Sequence, residues 1–552
     1  MSNSQPTTCQ SEQSPLFIPD VAYTVLAFVS ASPRDGYNLA MACKTLFQFV
    51  MPQLWRTVTG IEQLLLLIPG AVSTRQLMGT SKKITITISK LALDEPWDRF
   101  RVYSTYVRRL RVLALNGLLQ AHEWDILFAK LKELEEPLLP NLECLDVKQP
   151  TAGYDPLNYL VLFGLLLSPS ITKLDFRDYP TPGPGSNDPG LGPEFLSLSA
   201  LSLVNGLAKA YGITLPPHYN LASQRMIELS DLGVDGLTRF ERFPVLTNLT
   251  RLFIHLCAVA VGSGEGLIVL GHLPHLEALE IMGSLGSNTN PHRLFKGTLL
   301  PIPSALFPCL RTLHLLAMPS TQLLYHMWSS ETIVSKLTEV AIHLDQTLCL
   351  ITWKELVSQI VPLLSRTSST LRVAALVAMV RPDGPSDTQK SQLELLSALL
   401  SSMSVPALTL RVLTAGPDWL NVKPFPLHNR VFTSLQHLEI LMPLYRSGLK
   451  SLATSLPNLR HIIVLLRFEP FEGTDTTDNE PSEPVSFQPI MVHIRYVRYD
   501  RSANWGVNYL RLEENRSQIT RFIKSMWPNL SYLSLGNEDC FHNYRKFGII
   551  AV

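Results

Sequence analysis

The sequence lacks the features that mark secreted, membrane-bound and nucleic-acid-gripping proteins. Its seven cysteines are scattered and none forms a Cys-x-x-Cys pair, which argues against a disulfide framework and favours buried thiols in a reducing compartment. Basic and acidic side chains nearly balance, 47 against 46, for a formal net charge of +1. That balance disfavours a protein that binds nucleic acid by electrostatic attraction.

Long apolar stretches are also missing. The most apolar runs, residues 159–167 and 462–466, are far shorter than the roughly 20 residues needed to span a bilayer. The N-terminus has no basic start and no apolar core of the secretory type. We therefore expect no membrane partner and a cytoplasmic or nuclear location.

No catalytic constellation emerges from the motifs. The glycine-rich stretch 262–266 lacks the Lys-Ser/Thr of a phosphate-binding loop, and Cys540 with His542 supplies only two of the four ligands that structural zinc requires. Neither an H-E-x-x-H motif nor a G-x-S-x-G elbow is present. We expect a protein that is not an enzyme, with no catalytic, cofactor-binding or metal-binding residues.

What the sequence does contain is a recurring leucine pattern. Leu, two variable residues, an aliphatic, one variable residue and a second aliphatic return along most of the chain. The copies begin at Leu110, Leu142, Ile171, Leu198, Leu249, Leu276, Leu310, Leu337, Leu371, Leu410, Leu435, Leu459 and Leu530. Five are preceded by an apolar-Pro-x-Leu sequence, in which the proline indicates a turn between a helix and a strand.

These units predict an α/β fold, an irregular leucine-rich-repeat solenoid over residues 106–545. Each unit is one strand plus one helix, as in residues 353–364 and 393–403, and it buries its apolar face by stacking on a neighbour. Few copies carry the Asn or Cys of ordinary repeats, so we expect irregular curvature. The alternative is an ordinary α/β domain whose strands happen to begin with Leu-x-x-Leu.

Two segments interrupt the predicted array. Residues 179–194 are rich in Pro and Gly, and residues 469–489 carry six acidic and no basic side chains, so both are predicted loop insertions. Residues 492–499 alternate aliphatic, aromatic and basic side chains. This alternation is typical of a strand with one solvated face, although stacking and charge could also bind nucleic acid.

The start of the chain has a different pattern. Residues 1–14 are predicted to be disordered, residues 15–60 to form a small helical module, and residues 61–105 a linker or cap of the solenoid. After Ile18 and Pro19, an apolar helix is predicted over residues 21–29. A second helix is suggested by Leu39, Ala42, Cys43, Leu46 and Phe47, before a closing Leu54-Trp55.

This module resembles an F-box, in particular the variants found in fungal proteins. The resemblance implies that the module docks on a Skp-type adaptor protein in a cullin-based ubiquitin ligase, while the repeats bind an unknown protein substrate. It implies docking roles for matching positions of the two helices and the closing pair. These positions are Ile18, Pro19, Leu26, Val29, Leu39, Cys43, Leu54 and Trp55. The alternative is a leucine-rich-repeat scaffold with no link to a ligase, whose helices only cap the solenoid.

Overall fold

The chain is described by a computed structural model that divides into two compact units. Unit 1 comprises residues 1–261 and 265–276, and unit 2 comprises residues 262–264 and 277–552. The structure describes residues 24, 33–78, 81–112, 121–134, 136–147, 165–175, 203–215, 246–256, 259, 263–283, 299–344, 349–366, 371–381, 405–414, 433–444, 446–466, 490–496 and 519–537.

Unit 1 is mixed α/β. Its parallel sheet runs β1-β4-β5-β6-β7, so the strands lie side by side in chain order, with the antiparallel pair β2–β3 apart from it. Residues 203–210 are also helical. The elements of unit 1 are α1 Pro33–Ala42, α2 Lys44–Leu54, β1 Thr57–Thr59, α3 Glu62–Leu65, β2 Ala71–Met78, β3 Ser81–Ile88, α4 Leu91–Asp94, α5 Asp98–Ser104, β4 Arg109–Val112, α6 Ala121–Leu134, β5 Cys144–Val147, β6 Lys173–Asp175, β7 Arg251–His255 and α7 Glu265–Gly271.

Unit 2 repeats the same principle over more strands. Strands β8 to β17 form a parallel sheet in chain order, except that β11 pairs only with β12. Residues 519–526 are also helical. The elements of unit 2 are β8 Ala278–Met282, β9 Thr312–Met318, α8 Gln322–Ser329, α9 Glu331–Val334, β10 Glu339–Leu344, β11 Leu350–Thr352, α10 Trp353–Glu355, a π-helical turn Leu356–Ile360, α11 Val361–Ser365, β12 Val373–Arg381, β13 Ala407–Thr414, β14 His437–Leu444, α12 Arg446–Ser455, β15 His461–Leu466, β16 Ile490–Tyr496 and β17 Leu530–Asn537.

The leucine pattern locates the strands because its leucines are buried cross-strand partners in neighbouring strands. Leu145, Leu174 and Leu252 are cross-strand partners in unit 1 and each is at most 1% exposed. Leu279 and Leu313 are equivalent partners in unit 2 and are completely buried. Side chains alternate across a strand, so these leucines form the inner face and their neighbours form an outer face.

Three predicted copies need correction. The first copy begins three residues earlier than predicted, at the buried Val107. Its predicted first residue, Leu110, pairs with Leu145, which is the second position of the next copy, and not with Leu142, which is the first. Leu410 pairs with Leu376, the last aliphatic position of the copy that begins at Leu371. The copy predicted to begin at Leu410 therefore also begins earlier in the chain. The copy predicted to begin at Leu198 would place Leu203 in a strand, but Leu203 lies in a helix. Leu-x-x-Leu spacing recurs within one repeat, so the pattern alone leaves the register ambiguous.

Other predicted elements are present. The helix expected over residues 353–364 is formed by α10, the π-helical turn and α11, and the alternating stretch at residues 492–499 overlaps strand β16. Strand β1 lies within the predicted helical module and pairs with β4. Residues 1–14, 179–194, 393–403 and 469–489 lie outside the described residues.

Asparagine side chains link successive strand-bearing segments in a repeated way. Nδ2 of Asn141 donates to the carbonyl of Thr105 at 2.9 Å, Nδ2 of Asn248 to Pro169 at 3.0 Å, and Nδ2 of Asn458 to Thr433 at 2.8 Å. By the strand register, each acceptor lies one position before the residue equivalent to the asparagine. The same bond thus recurs in both units and satisfies a loop carbonyl each time.

Hydroxyl groups form a second series. Thr172, Thr250 and Thr338 lie just before a strand, and each donates Oγ1 to the backbone carbonyl of the equivalent residue in the neighbouring segment, at 3.1, 3.1 and 3.3 Å. Ser531 makes the corresponding bond to the carbonyl of Ile490 at 2.8 Å. Sequence reasoning did not identify either series, because each bond joins residues 25 to 79 positions apart.

Candidate functional site

The N-terminal module contains two helices that meet at Cys43. This residue is extended, with φ −160° and ψ 163°, and its Sγ accepts a hydrogen bond from the backbone N–H of Leu46 at 3.4 Å. The helical period is therefore interrupted between α1 and α2. The one helix predicted from Leu39, Ala42, Cys43, Leu46 and Phe47 is therefore two helices. Of these residues Leu46 is buried, whereas Ala42, Cys43 and Phe47 are exposed.

One side of the module packs onto the body of unit 1. Ala40, Val50 and Met51 form its buried cluster. The ring of Trp55 lies 4.7 Å from the ring of Tyr103, measured between centroids, and Tyr103 makes an edge contact with Tyr106 at 6.2 Å. The partly buried side chains that complete this cluster are Leu39, Phe49, Leu54, Trp55, Tyr103 and Tyr106.

Three large apolar side chains of the module remain in solvent. Tyr37 and Met41 are 53% and 62% exposed, and Phe47 is 36% exposed. Tyr37 and Met41 are four residues apart on α1 and therefore share a helix face. We call Tyr37, Met41 and Phe47 the outer apolar set.

The predicted docking residues fall into three groups. Leu39, Leu54 and Trp55 are half-buried in the module's own cluster, and Cys43 is exposed. The other four, Ile18, Pro19, Leu26 and Val29, lie outside the described residues. The structure thus brings Leu39, Leu54 and Trp55 together in one cluster and leaves Cys43 exposed.

Sequence reasoning missed Tyr37 and Met41, and placed Phe47 on the buried face. The available signal was the spacing of Tyr37 and Met41, two large apolar residues four positions apart in a segment that already had an apolar face at Leu39 and Ala40. A helix with apolar residues on two sides presents more apolar surface than one contact covers.

The outer face of the unit 1 sheet is polar and ionic. Arg111 pairs with Asp146 on the next strand, Nε to Oδ2, at 3.0 Å, and Lys173 pairs with Asp175 on its own strand, Nζ to Oδ2, at 3.4 Å. Cys144 lies between them, and burial raises the pKa of its thiol, an effect that Lys173 partly offsets. A thiol with a raised pKa stays protonated at neutral pH, which makes it a poor nucleophile.

An ionic triad with a buried histidine at its centre crosses three strands of unit 2. His314 on β9 lies between Glu280 on β8 and Glu339 on β10, with Nδ1–Oε2 and Nε2–Oε1 distances of 3.6 and 3.1 Å. Burial alone would lower the pKa of His314, but the two carboxylates raise it to about 9. The imidazole is therefore protonated at neutral pH, and the triad carries one positive and two negative charges.

The described residues offer no grouped metal ligands. Among them, no three His, Cys, Asp or Glu side chains lie close enough to hold a metal ion. Cys540 and His542 lie outside the described residues, as does Gly262 of the glycine-rich stretch. Within the described parts of the chain, no helix combines the length and apolar character needed to cross a membrane.

Two features could therefore bind a partner: the outer apolar set of the N-terminal module and the outer faces of the parallel strands. Both are surfaces rather than pockets, a form suited to protein contacts. No family model matches the chain, and none of the curated proteins matches it either.

Proposed function

We propose that the chain is a non-catalytic adaptor of a Skp- and cullin-based ubiquitin ligase. In this proposal the F-box-like helices dock on the Skp-type adaptor. The parallel strands and the helices between them form an irregular leucine-rich-repeat solenoid that binds the substrate protein. The observation that carries the docking part is the outer apolar set, since Tyr37, Met41 and Phe47 stay exposed although the module already has a buried cluster of its own.

The solenoid part is supported by the recurring bonds between segments. Three asparagines make the same bond to the preceding segment, and three threonines and one serine make another. Such repetition is expected when equivalent units stack in chain order, because each unit then meets the same neighbour. Repeat arrays of this kind use one extended face to bind other proteins.

A second candidate is favoured by a different observation. The contact of Trp55 with Tyr103 turns the closing aromatic residue of the module inward. Tyr103 lies on helix α5, and packing against a neighbouring element of the array is the contact expected of a cap. On that reading the protein is a repeat scaffold with no link to a ligase, and the outer apolar set is a solvated surface.

The experiment that separates the two candidates is capture of a purified Skp-type adaptor by the full chain. Deleting residues 1–60 would remove strand β1 and Trp55 together, so point variants are preferable. Met41→Glu and Tyr37→Glu place a charge in the proposed interface and are expected to weaken capture at least about tenfold, as charges in buried interfaces do.

Val72→Glu is the matched control, because Val72 is 59% exposed and lies on β2, outside the two helices. Capture by the wild type and by V72E, with loss in M41E, supports the ligase adaptor. If a folded wild-type chain captures no Skp-type adaptor, the repeat scaffold is the candidate function that remains.

A further inference from the structure

A row of basic side chains crosses the outer face of the unit 1 sheet. Arg109 on β4 is the cross-strand partner of Cys144 on β5, Cys144 is the partner of Lys173 on β6, and Lys173 is the partner of Arg251 on β7. In a parallel sheet such partners lie side by side and point to the same face. We call Arg109, Lys173 and Arg251 the basic row.

The two ends of this row have no ion-pair partner among the described residues. Lys173 is paired with Asp175, and the neighbouring Arg111 is paired with Asp146. Arg109 and Arg251 are both exposed, and no carboxylate among the described residues pairs with either of them. Within the described part of the chain, this face therefore holds two ion pairs and two guanidinium groups, Arg109 and Arg251, that no described carboxylate pairs.

The spacing of the two arginines defines what could bridge them. Strand β4 and strand β7 are separated by three strand spacings, which is about 14 Å at roughly 4.8 Å per strand. An extended peptide advances about 3.3 Å per residue, so acidic groups about four residues apart would reach both arginines. Guanidinium groups bind carboxylates and phosphates in a bidentate manner.

The corresponding positions of unit 2 carry no Lys or Arg. They follow from the strand register in the same way, one per strand. The residues at this level are Ala278, Thr312, Glu339, Val373, Ala407, His437, His461, Met491 and Tyr532. Because the whole chain is nearly neutral, the basic row is a local concentration of charge.

We propose that the basic row binds an extended acidic segment of a partner protein, with anionic side chains about four residues apart on Arg109 and Arg251. This inference rests on the proposed function, in which the strand face binds the substrate. Asp146 and Asp175 lie on the same face and would repel a continuous polyanion, which favours a peptide with spaced charges over a nucleic acid. Both carboxylate and phosphorylated side chains satisfy this chemistry.

The test measures binding of fluorescent peptides to the full chain by anisotropy at low and moderate salt. One peptide has two glutamates four residues apart, a second has two phosphoserines at the same places, and a third has its glutamates adjacent. A single-stranded RNA of equal length is the fourth probe. The variants are R109Q/R251Q and the control R99Q/R366Q, which removes two exposed arginines that lie off the sheet.

We expect the spaced peptides to bind the wild type and the control equally, and to bind R109Q/R251Q at least about tenfold more weakly. Tighter binding of the phosphoserine peptide would identify phosphate as the preferred anion. Equal binding by R109Q/R251Q and the control overturns the proposal, as does RNA binding as tight as peptide binding, or no preference for the spaced peptides.

The proposed function and this inference fail separately. Capture of a Skp-type adaptor depends on the outer apolar set, so R109Q/R251Q is expected to capture it as the wild type does. If the chain captures the adaptor but binds no spaced acidic peptide, only the proposal for the basic row is overturned. If the chain binds the peptide through Arg109 and Arg251 but captures no adaptor, only the proposed link to a ligase is overturned.

Discussion

The two units build the same kind of parallel sheet and present different chemistry on it. In unit 1 the outer face carries Arg109, Lys173 and Arg251 in one row, whereas the same level of unit 2 is apolar, neutral or acidic, as at Val373 and Glu339. The inner faces are alike, since both are filled by buried leucines. The inner positions therefore determine the fold, and the outer positions are free to specialise.

Two buried histidines show the same contrast. His255 on β7 of unit 1 is 5% exposed, and burial lowers its pKa from 6.5 to about 4. His314 of unit 2 is equally buried, but Glu280 and Glu339 raise its pKa from 6.5 to about 9. The two units should therefore respond to pH in opposite directions.

The largest expected effect comes from the inner face, where the units should behave alike. Leu145→Ala in unit 1 or Leu313→Ala in unit 2 removes a fully buried side chain and should lower the free energy of unfolding by about 3 kcal/mol. Hydrogen exchange followed by mass spectrometry can assign the loss to the mutated unit. If either variant loosened both units equally, the units would not be separately stable.

The next effect concerns the ionic triad of unit 2. The His314 pKa is raised in the folded state, so its contribution to stability is complete below about pH 6.5 and is lost as pH rises through 9. The difference corresponds to on the order of 3 kcal/mol, because one pKa unit is about 1.4 kcal/mol. His314→Gln should destabilise unit 2 at pH 6 and have a smaller effect at pH 10, as measured by urea unfolding at both values.

A matched control for the triad is the triple variant H314Q/E280Q/E339Q, which removes the charges together. It should be less destabilised than H314Q, since two carboxylates no longer face each other without a cation between them. A pH dependence in H314Q equal to that of the wild type would remove His314 as its source.

A smaller effect of opposite sign is expected in unit 1. The His255 pKa is lowered by folding, so the wild type loses stability as pH falls below 6.5 toward 4. At pH 5 the loss should be about 2 kcal/mol. His255→Leu should remove this acid sensitivity, which hydrogen exchange in unit 1 at pH 7 and pH 5 would detect. Identical acid sensitivity in H255L would assign it to other groups.

The smallest effect should again be shared by both units. Asn141→Ala in unit 1 and Asn458→Ala in unit 2 each remove one exposed side-chain bond to a loop carbonyl, worth about 1 kcal/mol. Thermal unfolding would compare the two. A loss near zero at one site and several kcal/mol at the other would show that the bonds are not equivalent.

The inner face could be predicted from sequence and the outer face could not. Leucine spacing located most strands, because burial selects the same residue type wherever a strand enters the core. The register was missed at Leu110 and Leu410, where the aliphatic residues fit the pattern in two ways. The basic row joins Arg109 to Arg251, and no local pattern connects residues whose proximity depends on the order of the intervening strands.

The N-terminal module shows the same division. The closing Trp55 was recognised from its local motif, but its inward contact with Tyr103 depends on packing against a distant helix. Likewise, Cys43 and Phe47 are exposed where α1 and α2 meet, and no periodicity indicated the break at Cys43.

The most direct test of the adaptor proposal is hydrogen exchange of the full chain with and without a purified Skp-type adaptor. The proposal predicts slower exchange in helices α1 and α2 around Tyr37, Met41 and Phe47, with no change in unit 2. No change in α1 and α2 under conditions where the adaptor is in excess would contradict docking and favour a scaffold whose helices only cap the sheet.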